Sequence, residues 1–248
     1  MEVIKFMNNN KNLSFSELKE KIFKEYNIKI NEDVKNNYYM LTSTNKSDYN
    51  NIFVRQCTGL ILEKNTNNIL HYFGEKSYNV SNEYNNNIID LEHININNSY
   101  ISDYTNGYII KVFNYNKKWK FATSNHTNIK HFRIKENNSI LYDIFKKHIL
   151  KTFYTMNNFL ISLDNNYCYS FIIEEDNKLN IINKINLRNL KEEFNFNNYT
   201  SLNKYILNPK YNEKDKYILI EKDKSCTFKK IHINTINMKK IIYKYNNV

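Results

Sequence analysis

Glycine, proline, cysteine, alanine and arginine are all scarce in this chain. Among 248 residues there are three Gly, one Pro and three Cys. Alanine occurs once, at Ala122, and arginine three times, at Arg55, Arg133 and Arg188. So little Gly and Pro excludes collagen-like and Pro/Gly-rich disordered chains. Cys57, Cys168 and Cys226 are odd in number and far apart, and no CxxC or HxxxH spacing occurs. Zinc ligation is therefore not expected, and free thiols in a reducing compartment are. No Gly-rich phosphate loop and no nucleophile elbow is present. Mean hydropathy is -0.69, and no apolar run approaches the roughly 18 residues a membrane span needs. The opening MEVIKFMNNN holds no apolar core of secretory-signal length. The expectation is a soluble, cytoplasmic protein with no membrane partner.

What the chain has in excess is asparagine, about one residue in five, with much Lys, Ile, Tyr and Phe. These residues have AT-rich codons, whereas Ala, Gly, Pro and Arg have GC-rich ones. The composition implies a very AT-rich genome, such as that of certain large DNA viruses or protists. The formal net charge is +11, which ordinarily points to a nucleic-acid partner. Codon drift toward lysine removes about half of that weight.

An apolar content of 41% with 15% aromatics suffices for one large core or two small ones. No Pro-, Gly- or Ser-rich linker divides the chain. Residues 1–45 read as a helical lead-in segment and 46–248 as a single compact unit. Helical spacing predicts helices over 16–26, capped by Ser16, and over 140–155, with shorter ones at 187–194 and 236–245. Strand-like runs cover 52–63, 69–73, 108–114, 117–123, 167–174, 179–184, 217–222 and 226–233. GYIIKVFNYNKKWKFATS reads as a hairpin turning at Asn116–Lys117. The class is α+β built on antiparallel sheet with flanking helices.

Four blocks occur in order. Gln56-Cys57-Thr58-Gly59-Leu60-Ile61-Leu62-Glu63 is followed by Glu75-Lys76-Ser77-Tyr78-Asn79. Tyr100-Ile101-Ser102-Asp103-Tyr104-Thr105-Asn106-Gly107 runs straight into the hairpin. Phe171-Ile172-Ile173-Glu174 comes third. Asp215-Lys216-Tyr217-Ile218-Leu219-Ile220 comes last, followed by Phe228-Lys229-Lys230-Ile231-His232. Over roughly residues 50–235 this order resembles the adenylyltransferase domain of phage-type RNA ligases, which are covalent nucleotidyltransferases. That family's pattern is CRG-hydrophobic-FE, EKFFN, KxDG, FxFE, EGhV and KxK. The resemblance implies an antiparallel-sheet nucleotidyltransferase domain of the ATP-dependent ligase type.

In such an enzyme a lysine amine attacks the α-phosphorus of ATP, other lysines neutralise phosphate charge, and a carboxylate holds Mg2+. By the resemblance, Lys76 keeps the EKFFN lysine and Glu174 the ribose-binding glutamate, with Glu175 as the off-by-one alternative. Lys229 keeps one lysine of the last block, or Lys230 with His232 if the frame moves by one. Asp215 stands where the family has glutamate and is a candidate metal ligand. At the nucleophile position stands Tyr104, the following Asp is Asn106, and only Gly107 is kept. Thr58 replaces the arginine of the first block. Drift toward AT-rich codons favours lysine, so it does not account for Tyr104. A phenol titrates near pH 10, so Tyr104 is a poor nucleophile, and Lys111 lies farther along the next strand. The first reading is a catalytically degenerate ligase-like protein that binds RNA ends, a nucleotide or a partner protein. A second is an active RNA ligase with an altered or mis-registered nucleophile, using ATP and Mg2+. A third is a viral interaction protein unrelated to ligases.

Other features read as structural. Tyr100, Tyr104, Tyr108, Phe113, Tyr115, Trp119 and Phe121 suit strands in a codon-biased chain, although interleaved lysines would also suit stacked bases. His126 and His131 sit in a polar loop, and His148 lies on the apolar face of a helix. Glu174, Glu175 and Asp176 end a strand as a metal-binding edge or as a solvated turn.

Overall fold

Ser14 and Glu17 begin the helix that the spacing predicts. The Ser14 hydroxyl accepts from the Glu17 N–H at 3.3 Å and the Glu17 carboxylate accepts from the Ser14 N–H at 2.7 Å, a complete capping box. The cap is Ser14 and not Ser16, because only Ser14 has a Glu three residues on. This computed structural model describes residues 1–74, 78–79, 98–103, 107–135, 138–174, 178–193, 200–202, 216–222 and 228–234. The chain divides into two units. One is Met1–Gly74 with Asn106–Phe194, the other Glu75–Thr105 with Asn195–Val248.

The first unit opens with helices α1 (Glu2–Asn9) and α2 (Phe15–Tyr26), and Asn27 at φ 53 ends α2 in the left-handed conformation. Strands β1 (Ile28–Asp33) and β2 (Tyr38–Ser43) follow, then helix α3 (Ile52–Cys57) and strands β3 (Ile61–Glu63) and β4 (Ile69–His71). They form an antiparallel sheet in the order β1-β2-β3-β4. So β2, inside the segment read as lead-in, pairs with β3 through Tyr38↔Glu63 and Met40↔Ile61.

The expected strand over 52–63 is a helix in its first half. Asn51 caps α3 by accepting the Phe53 N–H at 2.8 Å, and Phe53, Val54, Arg55, Gln56 and Cys57 are all buried. A short helix whose residues from Phe53 onward are all buried has no exposed stripe, so its periodicity cannot be told from that of a buried strand. Arg55 donates to the Tyr49 and Asn50 carbonyls at 3.0 and 2.8 Å.

A second antiparallel sheet has the order β11-β10-β9-β7-β8. Its strands are β7 (Gly107–Tyr115), β8 (Lys118–Ala122), β9 (Tyr167–Glu174), β10 (Leu179–Asn186) and β11 (Glu192–Glu193). The hairpin forms where the sequence places it. Asn116 and Lys117 have φ 51 and 59, as a two-residue turn that matches strand twist requires. Of the helix expected over 187–194, the described residues 187–193 form none. Leu187–Leu190 is a reversal, with the Leu190 N–H on the Asn186 carbonyl and Leu190 at φ 57, and β11 then pairs with β10.

This sheet is buried on both faces. Toward the first sheet it contributes Phe113, Tyr115, Ala122, Cys168 and Ile185 to one apolar cluster with β2, β3 and the N-terminal helices. On the other face Ile110, Val112, Phe121, Tyr169, Phe171 and Ile173 pack against helices α4 (Leu141–Phe153) and α5 (Met156–Ile161). Each fully buried aliphatic or aromatic side chain contributes about 1.5–3 kcal/mol, so both layers stabilise the unit. Trp119 is partly buried in the second cluster.

The second unit is one five-stranded sheet in the order β12-β6-β13-β14-β5. Its strands are β5 (Tyr78–Asn79), β6 (Ser99–Asp103), β12 (Thr200–Ser201), β13 (Lys216–Lys222) and β14 (Phe228–Asn234). All neighbours are antiparallel except the parallel pair β14–β5. The helix expected over 236–245 lies outside the described residues.

Candidate functional site

Two places follow from the resemblance, one in each unit. In the second unit, β6 leads toward Tyr104, and its last residue, Asp103, is in register with Tyr217 of β13. Lys229 and Lys230 of β14 pair with Glu221 and Ile220 of β13. Ile231 and His232 pair with Tyr78 and Asn79 of β5. One sheet thus joins the strands next to the second block, the fourth block and the tail of the first. Lys76, Tyr104, Asn106, Glu175 and Asp215 lie outside the described residues, and so does Cys226.

In the first unit Gly107 opens β7 and is the cross-strand partner of Glu174 at the end of β9. The Glu174 carboxylate is half-buried and accepts from the Asn180 amide at 2.6 Å. Gly107 is required for a steric reason. A Cβ there would stand 2.1 Å from the Ile173 carbonyl oxygen, far inside van der Waals contact. Gly107→Ala is expected to lower stability by about 1–2 kcal/mol, the usual effect of overpacking relieved by shifting a strand end. Urea denaturation checks this, and an unchanged midpoint would contradict the contact.

A third place was not legible as a site. Between the two sheets of the first unit lies a polar layer inside the apolar core. Lys111 on β7 is 1% exposed. It shares a face of β7 with Phe113 and Tyr115, by the alternation of a strand. Its Nζ donates to the Gly59 carbonyl at 2.8 Å. Gly59 sits at φ +68, and a Cβ there would lie 1.7 Å from that nitrogen. Burial brings the amine down to about 7, with Cys168 opposing.

Ser170, the β9 partner of Lys111, is buried beside His71. The His71 Nε2 lies 3.2 Å from the Tyr169 carbonyl and 3.2 Å from the Ser170 hydroxyl. A carbonyl only accepts, so Nε2 carries the proton. Nδ1 is then a buried acceptor without a hydrogen-bond partner among the described residues. Burial, with the Lys111 amine next, holds His71 well below the usual imidazole range. Cys168 donates to the Tyr72 carbonyl and accepts the Tyr72 N–H, both at 3.4 Å. Burial pushes its thiol up to about 12, which leaves it unreactive. Asn183, beside a β-bulge, donates to the Phe73 carbonyl at 2.7 Å.

A lysine that is neutral near pH 7 is what amine nucleophiles use. Lys111, however, is closed in on Gly59 and donates its hydrogen bond to that carbonyl. In this state its amine fastens the turn between α3 and β3 from across the core. The Gly59 N–H in turn donates to the Leu41 carbonyl at 2.9 Å. Thr58, where the ligase pattern has arginine, points its hydroxyl back at the Val54 carbonyl at 3.4 Å. The signal available in the sequence was the phase of Lys111 with Phe113 and Tyr115.

His126 and His131 are exposed in the loop after β8, and His126 packs on Phe132 at 4.8 Å between ring centroids. Among the described residues no three His, Cys, Asp or Glu side chains are grouped to hold a metal. None of the described helices is long and apolar enough to cross a membrane. No protein-family model matches the chain, and no curated protein matches it in sequence.

Proposed function

We propose that the protein is a degenerate relative of the phage-type RNA ligases that binds the 5′-phosphorylated end of RNA, or a nucleotide, without forming a covalent intermediate. The observation that carries the reading is the pairing of Gly107 with Glu174. The glycine that closes the block containing Tyr104 and the carboxylate assigned to a ribose are direct neighbours across two strands. Asn180 binds one oxygen of Glu174, which fixes the carboxylate and leaves its other oxygen to accept from a sugar hydroxyl. By the resemblance alone, Lys76, Lys229 and Lys230 are the positions that would meet phosphate, and Asp215 is the position that would hold a metal. Tyr104 in place of lysine removes the amine on which nucleotidyl transfer depends. Lys111 is not a replacement for it, being held against Gly59 inside the core.

The test has two arms. Intact-mass spectrometry after incubation with ATP or GTP and Mg2+ or Mn2+ is expected to show no added nucleoside monophosphate. An adduct mapped to one residue would replace this reading with an active ligase. Titration of fluorescent RNA carrying a 5′-phosphate or a 5′-hydroxyl is expected to favour the phosphate. Glu174→Ala and Lys76→Ala should weaken that preference. Equal affinity for the two ends would end the RNA-end reading and leave a protein partner as the remaining role.

A further inference from the structure

Lysines are common throughout this chain, so a basic surface carries meaning only where acids fail to balance it. The first unit contains its own comparison. Residues 1–36, which form α1, α2 and β1, hold seven lysines and six acids. Pairs such as Lys5–Glu2 and Lys21–Glu25 join them, and Lys64 pairs with Glu32. Residues 126–161, which cover the opposite face of the β7–β9 sheet, hold six Lys and Arg but only two acids. Drift in codon usage acts on both stretches alike, so it does not explain the difference.

The excess is concentrated on α4. Leu141, Phe145 and Ile149 face the sheet and are buried. The outer stripe carries Lys146, Lys147, Leu150 and Lys151, all exposed. Among the described residues none of these three lysines has an ion-pair partner. Lys147 and Lys151 are one helical turn apart on one stripe, and that stripe ends at Tyr154. Tyr154 has φ 59 and ψ -40, a backbone conformation that residues with side chains rarely adopt. Tyr154 is 88% exposed. The Thr155 N–H closes this tight turn on the Phe153 carbonyl. Glycine would fit the turn without strain, yet the sequence places a large aromatic ring there and points it into solvent.

We propose that the outer face of α4 with Tyr154 is a binding surface for single-stranded RNA, separate from the Gly107–Glu174 edge. Lys146, Lys147 and Lys151 contact successive phosphates, and the Tyr154 ring stacks on a base. A row of unpaired lysines matches a polyanion, and an exposed aromatic ring beside it matches the unpaired base of a single strand, which a duplex does not offer. The surface reads no sequence, because phosphates and ring faces are common to all nucleotides. This inference does not rest on the ligase reading, and its test uses RNA with no 5′-phosphate and no added nucleotide.

The probe is a fluorescein-labelled oligouridylate with hydroxyl ends, titrated into the full chain over a range of salt concentrations. The wild type is expected to bind with a steep salt dependence. The triple variant Lys146→Gln/Lys147→Gln/Lys151→Gln keeps good helix formers on an exposed face. It should lose about 2 from the magnitude of the slope of log K against log salt, at about 0.7 per phosphate contact on a single strand. Tyr154→Gly relieves the strained turn, so it should raise the urea midpoint while weakening binding about tenfold through loss of one stacked base. A variant that is more stable and binds less well separates a binding role from a structural one. Wild type that ignores the oligouridylate, or binds anionic vesicles or the matched duplex in preference, overturns the proposal. So does a triple variant whose affinity and slope equal the wild type's.

Discussion

Replacing Lys111 by methionine is expected to make the protein more stable at pH 7, and to flatten the dependence of its stability on alkaline pH. The folded amine titrates at about 7, whereas an unfolded lysine titrates near 10.4. Between those values the unfolded chain binds the extra proton, so stability rises with pH across that window. Below about 7 both states hold the proton, and the full penalty of a buried cation remains. With about three pK units of displacement the span is on the order of 4 kcal/mol. Methionine keeps much of the side-chain volume and removes the charge. The Gly59 carbonyl loses its partner, an offset of about 1–2 kcal/mol. Urea unfolding of wild type and variant at a series of pH values from neutral to alkaline checks this. Identical slopes would mean that the amine is hydrated in the folded state. The groups facing Lys111 are the Gly59 carbonyl, Cys168, Ser170 and His71, none of them a carboxylate. His71 adds an acid-side loss, because burial holds its folded value well below the usual imidazole range. Its stabilisation is present above about 6.5 and declines as pH falls below it.

Gly59→Ala should be the most damaging single substitution in the first unit. Its φ of +68 alone disfavours any residue with a Cβ, by roughly 1–2 kcal/mol. The added carbon would lie 1.7 Å from the Lys111 nitrogen and 3.0 Å from Cε. The amine must leave its carbonyl, and a buried donor and acceptor both go unpaired, at about 1–3 kcal/mol each. A total loss on the order of 4 kcal/mol is expected, seen as a fall in the urea midpoint at constant m-value. The partner experiment is a double-mutant cycle with Lys111→Ala. Once the amine is gone, Gly59→Ala should show only the backbone strain, so the two effects fall short of additivity by about 2 kcal/mol. Additive effects would show that the two residues do not meet.

The elements that sequence reasoning placed correctly are those with strong local signals. The 107–122 hairpin declares itself through Asn116 and Lys117 between alternating apolar residues. Strands 167–174 and 179–186 and helix 141–153 follow from periodicity. In α3 the run from Phe53 to Cys57 is buried all round, so no polar phase marks it as helical. Strand β1 alternates only over Ile28, Lys29 and Ile30, and β2 opens on four buried residues, Tyr38 to Leu41, so neither presents a long two-residue pattern. The polar layer was invisible for a different reason. Lys111, His71 and Ser170 are far apart in sequence and meet only through the pairing of β7 with β9 and the approach of β4. The Gly107–Glu174 pair was legible as two separate motif residues, and its contact is a product of strand register. The α4 surface was present in the sequence as lysines with few acids, but its gathering on one exposed stripe beside Tyr154 needed the fold to be seen.

The order in which the strands of the second unit's sheet are made sets a demand on synthesis. Strand β6 ends at Asp103, and both of its partners come later, β12 at Thr200–Ser201 and β13 at Lys216–Lys222. At roughly 5–20 residues per second of translation, β6 emerges on the order of ten seconds before β13 exists. By contrast, every strand of the first unit is in hand once Glu193 has been made. A strand with two open edges is a site for mispairing with other chains. Nascent protein stalled between these two points should therefore be its most aggregation-prone form, and the one on which chaperones act.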